Sequence, residues 1–371
     1  MVSGKHVVVI GGGAAGCAAA YYLARAGARV TLVERERIGS QASGWSAGGV
    51  NPISGVPAPL RALAMASYRL HRELWPEIER GQAVSRPGRS TAMLFLAETE
   101  AELADLRALN ADFNAAQSFR SELLDADGVQ RVEPRLRPGF LGAALTHGNA
   151  VVESYDFTRL LGEAAERAGT TCLKGTAGAL SVSGHAVTSV DVDGQPLACD
   201  AVVVANGPWA RQLGATFGHD LQVAPLKGEI LRTTTPFEAP PFDVVATGIS
   251  LFTRGQREVW LASTQQRAGF DTKPSRWGRE TLWSAATALM PCIAEATVFR
   301  QTACLRPSTP DDLPILGLLP GSTNAYAATG GGTKGILLAP AMGKAIADLI
   351  TTGATPLPLA GFSADRFNHT S

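Results

Sequence analysis

A glycine-rich turn near the N-terminus constrains the fold of this chain more than any other feature. The letters GGGAAG place Gly11, Gly13 and Gly16 at GxGxxG spacing, directly after the apolar run 6–10 and before an Ala-rich segment that predicts a helix. Only glycine lets a backbone turn this sharply and come close to a ligand. A helix N-terminus presents free N–H groups and the positive end of its dipole to a pyrophosphate. The turn therefore predicts a nucleotide-binding βαβ unit.

A second strand completes this unit. The apolar run 29–33 is followed by Glu34, which lies 18 residues after Gly16. An acid at this distance can accept hydrogen bonds from ribose hydroxyls. GxGxxG alone is weak evidence, but here the strand, the turn, the helix and the acid occur in order. The sequence therefore predicts that the chain binds a dinucleotide.

Composition sets the broad class. At 371 residues the chain is long enough for two folded units. Its formal net charge is +0, which gives no reason to expect nucleic acid or an anionic membrane as a partner. We expect no signal peptide, no membrane span and a cytoplasmic location. The five cysteines are scattered and form no CxxC, so we expect neither disulfides nor a metal site.

The rest of the chain alternates between two patterns. A loop of small residues at 39–52 follows the first unit, and a buried strand followed by a glycine turn is predicted at 200–207. Alternating strands, with a hairpin at 249–264, fill much of the region 222–305. A strand, a glycine loop and a helix return at the C-terminus. We predict a discontinuous nucleotide domain of residues 1–80, 145–220 and 305–371, with residues 81–144 and 221–304 forming an inserted domain.

The C-terminal glycine loop also has GxGxxG spacing, at Gly330, Gly332 and Gly335. No strand ending in an acid follows it at the right distance, so a second dinucleotide site is not supported. The loop is interpreted as a helix N-terminus that faces the far end of one long cofactor. An ordinary strand-to-helix turn is the alternative.

Together these segments resemble the FAD-dependent D-amino-acid oxidase superfamily, in particular its glycine oxidase, sarcosine oxidase and D-amino-acid dehydrogenase-like members. The resemblance covers nearly the whole chain and includes ASGWSAGGVNP, VVVANGPWA, PLKGEI, CLRPSTPDDLPILG and TGGGTKGILLAPAMGKAIADLI. The last two motifs are the specific ones. The resemblance implies FAD as cofactor and a two-domain α/β (α+β) fold: a glutathione-reductase-type FAD-binding Rossmann domain with an inserted antiparallel-sheet substrate domain.

The resemblance also implies which residues contact FAD. The first glycine turn would bind the pyrophosphate and Glu34 the adenosine ribose, while the C-terminal loop would face the pyrimidine edge of the flavin. The predicted FAD-binding residues are Gly11, Gly13, Ala14, Ala15, Gly16, Glu34, Arg35, Ser43, Gly44, Ser46, Ala47, Gly48, Gly49, Thr176, Ala177, Ala205, Gly207, Trp209, Gly331, Gly332, Thr333, Lys334, Gly335 and Ile336.

Arg306 occupies the position where glycine oxidase-like enzymes bind the substrate carboxylate. A guanidinium matches a carboxylate in a two-point fork, although a structural salt bridge with Asp311 or Asp312 is the alternative. The resemblance implies oxidation of a small amino or imino acid at its CH–NH bond, by hydride transfer to flavin N5. The resulting imine would hydrolyse to a 2-oxo acid or an aldehyde. Three histidines are interpreted as surface or hydrogen-bonded residues rather than catalytic bases: His71, His147 and His219.

The chain departs from the family pattern at several positions. Ser250 stands where glycine oxidase-like chains place a tyrosine beside the substrate, which makes glycine itself a doubtful substrate. Thr333 and Lys334 stand where those chains have an arginine. Cys304 corresponds to the cysteine that holds FAD covalently in monomeric sarcosine oxidase-like enzymes, and a small buried apolar cysteine is the alternative.

Other functions remain open on the same scaffold. The chain is also similar to the oxidase half of the tRNA wobble-uridine modification enzyme, which acts on a carboxymethylaminomethyl group. A 2-hydroxyacid or glycerol phosphate dehydrogenase and a flavin-binding subunit of a hetero-oligomeric dehydrogenase are further alternatives. The electron acceptor is expected to be oxygen or quinone, and the sequence leaves homo-oligomer formation open.

Overall fold

The computed structural model describes residues 4–80, 88–217 and 220–367. The chain divides into two compact units. The first comprises Met1–Gly88, Val152–Leu226 and Leu305–Ser371, and the second comprises Arg89–Val151 and Lys227–Cys304. The assignment of flavin binding to the first unit and substrate binding to the second stays a prediction. The predicted domain boundary at 80/81 borders the undescribed segment 81–87, and His219 lies outside the described residues.

Strands and helices are numbered along the whole described chain. The strands are β1 (His6–Ile10), β2 (Arg29–Glu34), β3 (Gly49–Val50), β4 (Gly88–Ala97), β5 (Arg120–Asp125), β6 (Gly142–Val152), β7 (Thr171–Lys174), β8 (Ala177–Ser183), β9 (Ala186–Val192), β10 (Gln195–Ala198), β11 (Ala201–Val204), β12 (Ala224–Thr234), β13 (Phe242–Ala246), β14 (Ile249–Gly255), β15 (Glu258–Ala262), β16 (Thr297–Ser308), β17 (Ile315–Leu318) and β18 (Ala325–Thr329). The helices are α1 (Ala14–Arg25), α2 (Ala42–Trp45), α3 (Arg61–Glu79), α4 (Glu100–Ala115), α5 (Ala126–Val132), α6 (Ser154–Arg167), α7 (Ala210–Gly214), α8 (Arg276–Leu289) and α9 (Gly335–Thr352).

The first unit is built around a six-stranded sheet. Its order is β17-β18-β11-β1-β2-β7, with all strands parallel except β17, which pairs antiparallel with β18. A separate three-stranded antiparallel sheet has the order β10-β9-β8. The residues of β1 and β11 are buried throughout, as expected for central parallel strands covered on both faces. The predicted βαβ unit of β1, α1 and β2 is therefore present.

Helices of the first unit pack closely on one another. α1 packs against α6 and α9, and α3 also packs against α6 and α9. Half of the twelve residues of α1 are alanine, and Ala18, Ala19 and Ala20 are fully buried. In α9, Gly343 has no room for a side chain, because a Cβ there would lie 2.4 Å from the Cβ of Ala18. Small side chains therefore allow close contact between α1 and α9.

One helix contradicts the sequence analysis. Among the described residues, the stretch Gly332–Thr352 is long and apolar enough to cross a membrane by length and composition, with a mean hydropathy of 1.3. The expectation that no segment meets this criterion is wrong. The core helix of a soluble protein meets it too, and 67% of the stretch's most apolar window is buried inside the protein. Cytoplasmic location stays a prediction.

The second unit contains a mixed sheet that packs against α8. Its strands run in the order β16-β12-β15-β14-β13-β4-β6, and β5 pairs with β6. β12, β15, β14 and β13 form successive antiparallel pairs, but β13 and β4 run parallel. On one face Leu231, Leu251, Leu261 and Val244 join the apolar core with Leu282 of α8. The predicted hairpin corresponds to β14 and β15.

Candidate functional site

The first glycine turn has no room for a side chain at two of its positions. Gly11 has φ +107°, and a Cβ there would lie 2.6 Å from the carbonyl oxygen of Ala205. A Cβ at Gly16 would lie only 1.9 Å from the carbonyl oxygen of Gly11. The Gly11 N–H donates to the Val33 carbonyl oxygen at 2.9 Å, which fixes the turn against β2. Glycine is therefore required at both positions by the close approach of the backbone.

The same turn exposes the N-terminus of α1. The helix begins at Ala14 after Gly13, which is extended at φ −77° and ψ 175°, and its first turn contains no acidic residue. The Ala14 N–H donates to Ser43 Oγ at 2.9 Å. The first N–H groups of a helix have no acceptor within the helix, so they are available to an anion. The turn presents backbone donors and no side chain larger than a methyl group, and these features fit a pyrophosphate.

Glu34 lies directly beside this turn. Its Oε2 accepts from the Gly12 N–H at 2.7 Å, and its Oε1 accepts from the Glu36 N–H at 2.9 Å. The backbone carbonyl of Glu34 accepts from the Gly175 N–H at 2.9 Å. The structure thus brings the glycine turn, the acid and the segment that precedes Thr176 together. Carboxylate oxygens have several acceptor sites, so these bonds leave capacity for a ribose hydroxyl.

Two further predicted residues are neighbours, although they are far apart in sequence. The guanidinium carbon of Arg35 lies 4.1 Å from the ring centroid of Trp209, a cation–π geometry. Gly207 has φ +60°, and its carbonyl oxygen accepts from Thr329 Oγ1 at 3.0 Å. This bond links the turn after β11 to the end of β18. The predicted sites at 205–209 and at 331–336 therefore flank adjacent strands of one sheet.

The segment of small residues after Gly39 is more ordered than a loop. It contains α2 and β3, so the prediction of a continuous loop over 39–52 is wrong. A Cβ at Gly44 would lie 2.0 Å from the Gly39 carbonyl oxygen, and a Cβ at Gly48 would lie 1.9 Å from that of Val152. The carbonyl oxygen of Ser46 accepts from Ser154 Oγ at 2.7 Å. Ala47 and Gly49 lie in the same segment.

The C-terminal glycine loop carries a half-buried lysine, Lys334. Residues 332–334 form a short 3₁₀ turn before α9, within the predicted set of residues 331–336. Lys334 Nζ donates to the Ser54 carbonyl oxygen at 2.6 Å, and burial lowers the pKa of Lys334 to about 8. Sequence analysis did not identify Ser54. Its turn is formed by Asn51, whose Oδ1 accepts from the N–H groups of Ile53 and Ser54 at 2.9 Å, and the Asn-Pro dipeptide is the signal that indicates it.

The predicted catalytic residues lie on strands. Arg306 is half-buried near the end of β16. Asp311 forms an ion pair of 2.8 Å with Arg366, and a structural salt bridge of Arg306 with Asp311 or Asp312 stays an alternative. Ser250 is half-buried in β14 and pairs with Ala262.

The cysteines and histidines were also considered as candidate functional residues. In the part of the chain that the structure describes, no two cysteines form a disulfide, and Cys304 is 5% exposed. No group of three or more His, Cys, Asp or Glu side chains within the described residues could hold a metal ion.

His71 is fully buried and its Nε2 donates to the Ile336 carbonyl oxygen at 2.9 Å. His147 is half-buried, and burial followed by the charge of Arg120 lowers its pKa.

A mostly parallel sheet, a glycine turn before a helix and an acid beside that turn are together typical of dinucleotide-binding folds. Comparison with known proteins identifies the family, because the model of the DAO family, the FAD dependent oxidoreductases, matches residues 6–349. The chain belongs to this family. It is an FAD-dependent oxidoreductase of the amino acid oxidase and dehydrogenase group.

Individual relatives cover nearly the whole chain. Glycine oxidase from Geobacillus kaustophilus is 31% identical, with 97% of this chain and 96% of the relative covered. Its crystal structure superimposes with a TM-score of 0.91 at 30% identity and covers 98% of this chain and 99% of that one. D-amino acid dehydrogenase from Xanthobacter autotrophicus is 29% identical, with 98% and 99% covered. Iminodiacetate oxidase from Chelativorans sp. BNC1 has a TM-score of 0.87 at 26% identity, with 96% and 98% covered.

Proposed function

We propose that this enzyme oxidises the CH–NH bond of a small amino or imino acid. Arg306 carries the proposal: it is half-buried near the end of β16, and its guanidinium matches a substrate carboxylate in a two-point fork. Relatives named glycine oxidase, D-amino acid dehydrogenase and iminodiacetate oxidase all act on compounds that bear both an amine and a carboxylate. The product imine would hydrolyse to a 2-oxo acid or an aldehyde.

The residues of the glycine turn would hold the cofactor. When bound, FAD supplies a two-electron oxidant that accepts a hydride from the carbon bearing the amine. The N–H groups at the start of α1 would bind its pyrophosphate, and Glu34 would accept from the adenosine ribose. Lys334 and the N-terminus of α9 would place positive charge near the pyrimidine edge, where reduction adds negative charge. The hydrogen bond from Lys334 Nζ to the Ser54 carbonyl would fix the ammonium group in this position.

Arg306 would bind the substrate carboxylate and so orient the carbon that is oxidised. A two-point contact fixes both the position and the direction of the substrate, and this orientation contributes directly to the rate. Ser250 is smaller than the tyrosine expected at its position, and it would leave room for a side chain or an N-substituent. No proton-transferring residue is assigned, because an amine that enters neutral needs none. A covalent bond from Cys304 to FAD stays a prediction.

The test is anaerobic titration of the purified yellow holoenzyme. The panel comprises L- and D-amino acids, glycine, sarcosine, proline, iminodiacetate and several 2-hydroxyacids. We expect one or more amines to bleach the flavin absorbance, and readmitted air then separates an oxidase from a dehydrogenase. Bleaching by a 2-hydroxyacid alone, or by nothing in the panel, contradicts the proposal.

Replacement of Arg306 tests the carboxylate contact. We expect Arg306→Met to raise KM for the best amino acid by about 10- to 100-fold, because a charge-assisted bidentate contact is lost. Arg306→Lys keeps the charge but not the fork, and we expect an intermediate KM. Arg276→Gln, which removes an exposed arginine with an ion pair of 2.6 Å, is the matched control. Unchanged kinetics of Arg306→Met on every carboxylated amine would exclude this role.

A further inference from the structure

A buried lysine in the second unit fastens an exposed segment to the sheet. Lys227 lies in β12 and is 2% exposed. Its Nζ donates to Asp271 Oδ2 at 2.8 Å and to the carbonyl oxygen of Lys273 at 2.6 Å. A buried ammonium is strongly destabilising unless it is paired and hydrogen-bonded. The three residues Lys227, Asp271 and Lys273 are called the clasp below.

A second acid lies close to this lysine, but other groups satisfy most of its hydrogen bonds. Glu229 is fully buried, and its Oε1 is 3.6 Å from Lys227 Nζ. Its carboxylate accepts from the N–H and Oγ of Ser275 at 2.8 and 2.6 Å and from Gln301 Nε2 at 2.7 Å. Ser275 caps α8, so Glu229 lies at the positive end of that helix. Asp271 is therefore the carboxylate that makes the direct hydrogen bond to Lys227.

The clasp holds a segment that is otherwise exposed. Residues 263–275 connect β15 to α8, and most residues from 267 to 274 are exposed. At its start the segment is paired with β12, because the N–H groups of Lys227 and Gln266 each donate to the other's carbonyl at 2.9 Å. The clasp holds the segment at Asp271 and Lys273, and Glu229 holds its last residue, Ser275. Lys227 is thus bonded to the segment on both sides of the exposed residues 267–270.

The held segment begins beside a predicted catalytic residue. Ala262, the last residue of β15, pairs with Ser250 on one side and with Ile230 on the other. The flanking residues Ile249, Leu251, Leu231 and Leu261 point into the apolar core. Strand alternation therefore places Ser250, Ala262 and Ile230 on the opposite face. Segment 263–275 therefore follows directly on a member of this row, Ala262.

We infer that Lys227 is a positioning residue: through the clasp it holds segment 263–275, and thereby the end of β15 beside Ser250, in the geometry that binds the substrate. The inference rests on the proposed function, in which Ser250 faces the substrate. Lys227 acts through the segment and has no contact with the reacting atoms in this role. Loss of the clasp should therefore weaken substrate binding more than it slows the chemical step.

Asp271→Asn is the variant that tests the clasp. Asp271 has a side chain that is 48% exposed, so its replacement removes the ionic contact without opening the core. Trypsin provides the first measurement, because Arg267 is exposed within the segment, whereas Lys273 precedes a proline and resists cleavage. We expect cleavage of the holoenzyme after Arg267 to be about tenfold faster than in the unmodified enzyme, a change typical of losing one charged hydrogen bond. Mass spectrometry identifies the cleaved bond.

Steady-state kinetics provide the second measurement. We expect Asp271→Asn to raise KM for the best amine about five- to tenfold while kcat stays within about twofold. Asp271→Glu restores the carboxylate and should recover most of both properties. Glu280→Gln is the matched control, because it breaks an exposed ion pair with Arg276 directly after the segment, and it should change neither measurement.

The possible outcomes test the clasp and the proposed function separately. Cleavage at an unchanged rate overturns the clasp, and faster cleavage with an unchanged KM overturns the positioning role. An equal fall in kcat and kcat/KM also overturns it, because that pattern indicates an interaction made in the transition state. Failure of the unmodified enzyme to react with any amine overturns the proposed function and the positioning role with it, whereas the cleavage comparison decides the clasp by itself.

Discussion

Single residues in the first glycine turn are restricted by backbone contacts rather than by side-chain chemistry. The hypothetical Cβ at Gly16 overlaps the Gly11 carbonyl oxygen at 1.9 Å, a distance that no real Cβ contact allows. At Ala14 the neighbouring group is also small, because the Ala14 N–H donates a hydrogen bond to the hydroxyl of Ser43. The positions that surround the predicted pyrophosphate site therefore accept only the smallest residues. This restriction is the physical reason that the GxGxxG spacing is informative when a strand and a helix flank it.

Gly16→Ala should destabilise the enzyme and weaken FAD retention. The added methyl group forces either α1 or the turn to move, and overpacking of this kind costs about 1–3 kcal/mol of the free energy of unfolding. Urea unfolding and the flavin content after dialysis measure the two effects. Gly255→Ala is the control, because Gly255 lies outside the predicted FAD-binding residues and a Cβ there would meet only the Glu258 side chain, at an ordinary 3.5 Å from its Cβ. Equal midpoints for Gly16→Ala and the unmodified enzyme would contradict the steric argument.

At the scale of elements, α3 compensates for a proline inside α9. Pro340 has no N–H, so the carbonyl of Ile336, four residues earlier, lacks its usual helical donor. His71 of α3 donates to this carbonyl at 2.9 Å, and Ser67 Oγ accepts from the N–H of Ala341 at 3.1 Å. Two side chains of one helix thus satisfy backbone groups at the break in another. The packing of α3 on α9 is therefore specific as well as apolar.

This contact makes stability depend on pH. Burial lowers the pKa of His71 from 6.5 to about 4, so the folded state keeps it neutral where the unfolded state binds a proton. Stability should therefore fall as the pH drops from about 6.5 to about 4, by about 3 kcal/mol from this residue. His71→Gln retains a donor but does not titrate, and its urea midpoint should lack this part of the decline. The same slope in both proteins would exclude His71 as the cause.

At the scale of the whole molecule, the charge balance bears on the choice between substrates. The formal net charge is +0 over 371 residues, with 33 basic and 33 acidic side chains. Nucleic-acid binding depends mainly on basic residues that neutralise phosphates. A free amino acid needs no such field, because one guanidinium suffices to bind its carboxylate. The balance therefore favours a small substrate over a tRNA-linked one.

The purified enzyme should not bind tRNA at physiological salt. We expect no saturable retention of labelled tRNA in a filter-binding assay at micromolar protein, and amine-dependent bleaching of the flavin should be unaffected by added tRNA. A basic nucleic-acid-binding domain serves as the positive control for the assay. Saturable binding that weakens steeply with salt would return the wobble-uridine alternative to consideration.

Several elements were predictable because their signals are local. The run His6–Ile10, the alanines after Gly13 and the apolar repeat in α9 each specify an element without reference to the rest of the chain. The hairpin of β14 and β15 was likewise predictable, because two alternating runs flank the dipeptide Gly255-Gln256, and in the structure β14 extends to Gly255. By contrast β4, β5 and β6 were not predicted, because a partner strand far away in sequence decides whether such segments pair. The parallel pairing of β4 with β13 is of this kind.

The amino-acid sequence by itself determined the βαβ unit and the positions of its glycines, because these depend on residue type at fixed short spacing. The resemblance over nearly the whole chain identified the FAD-dependent family. Only the tertiary structure decided which distant groups meet. It pairs Asp311 with Arg366, directs Lys334 to the Ser54 carbonyl and buries Lys227 beside Asp271. The physical reason is that a charge has no preferred partner along the chain. Its partner is selected when folding removes water and leaves one acceptor within reach.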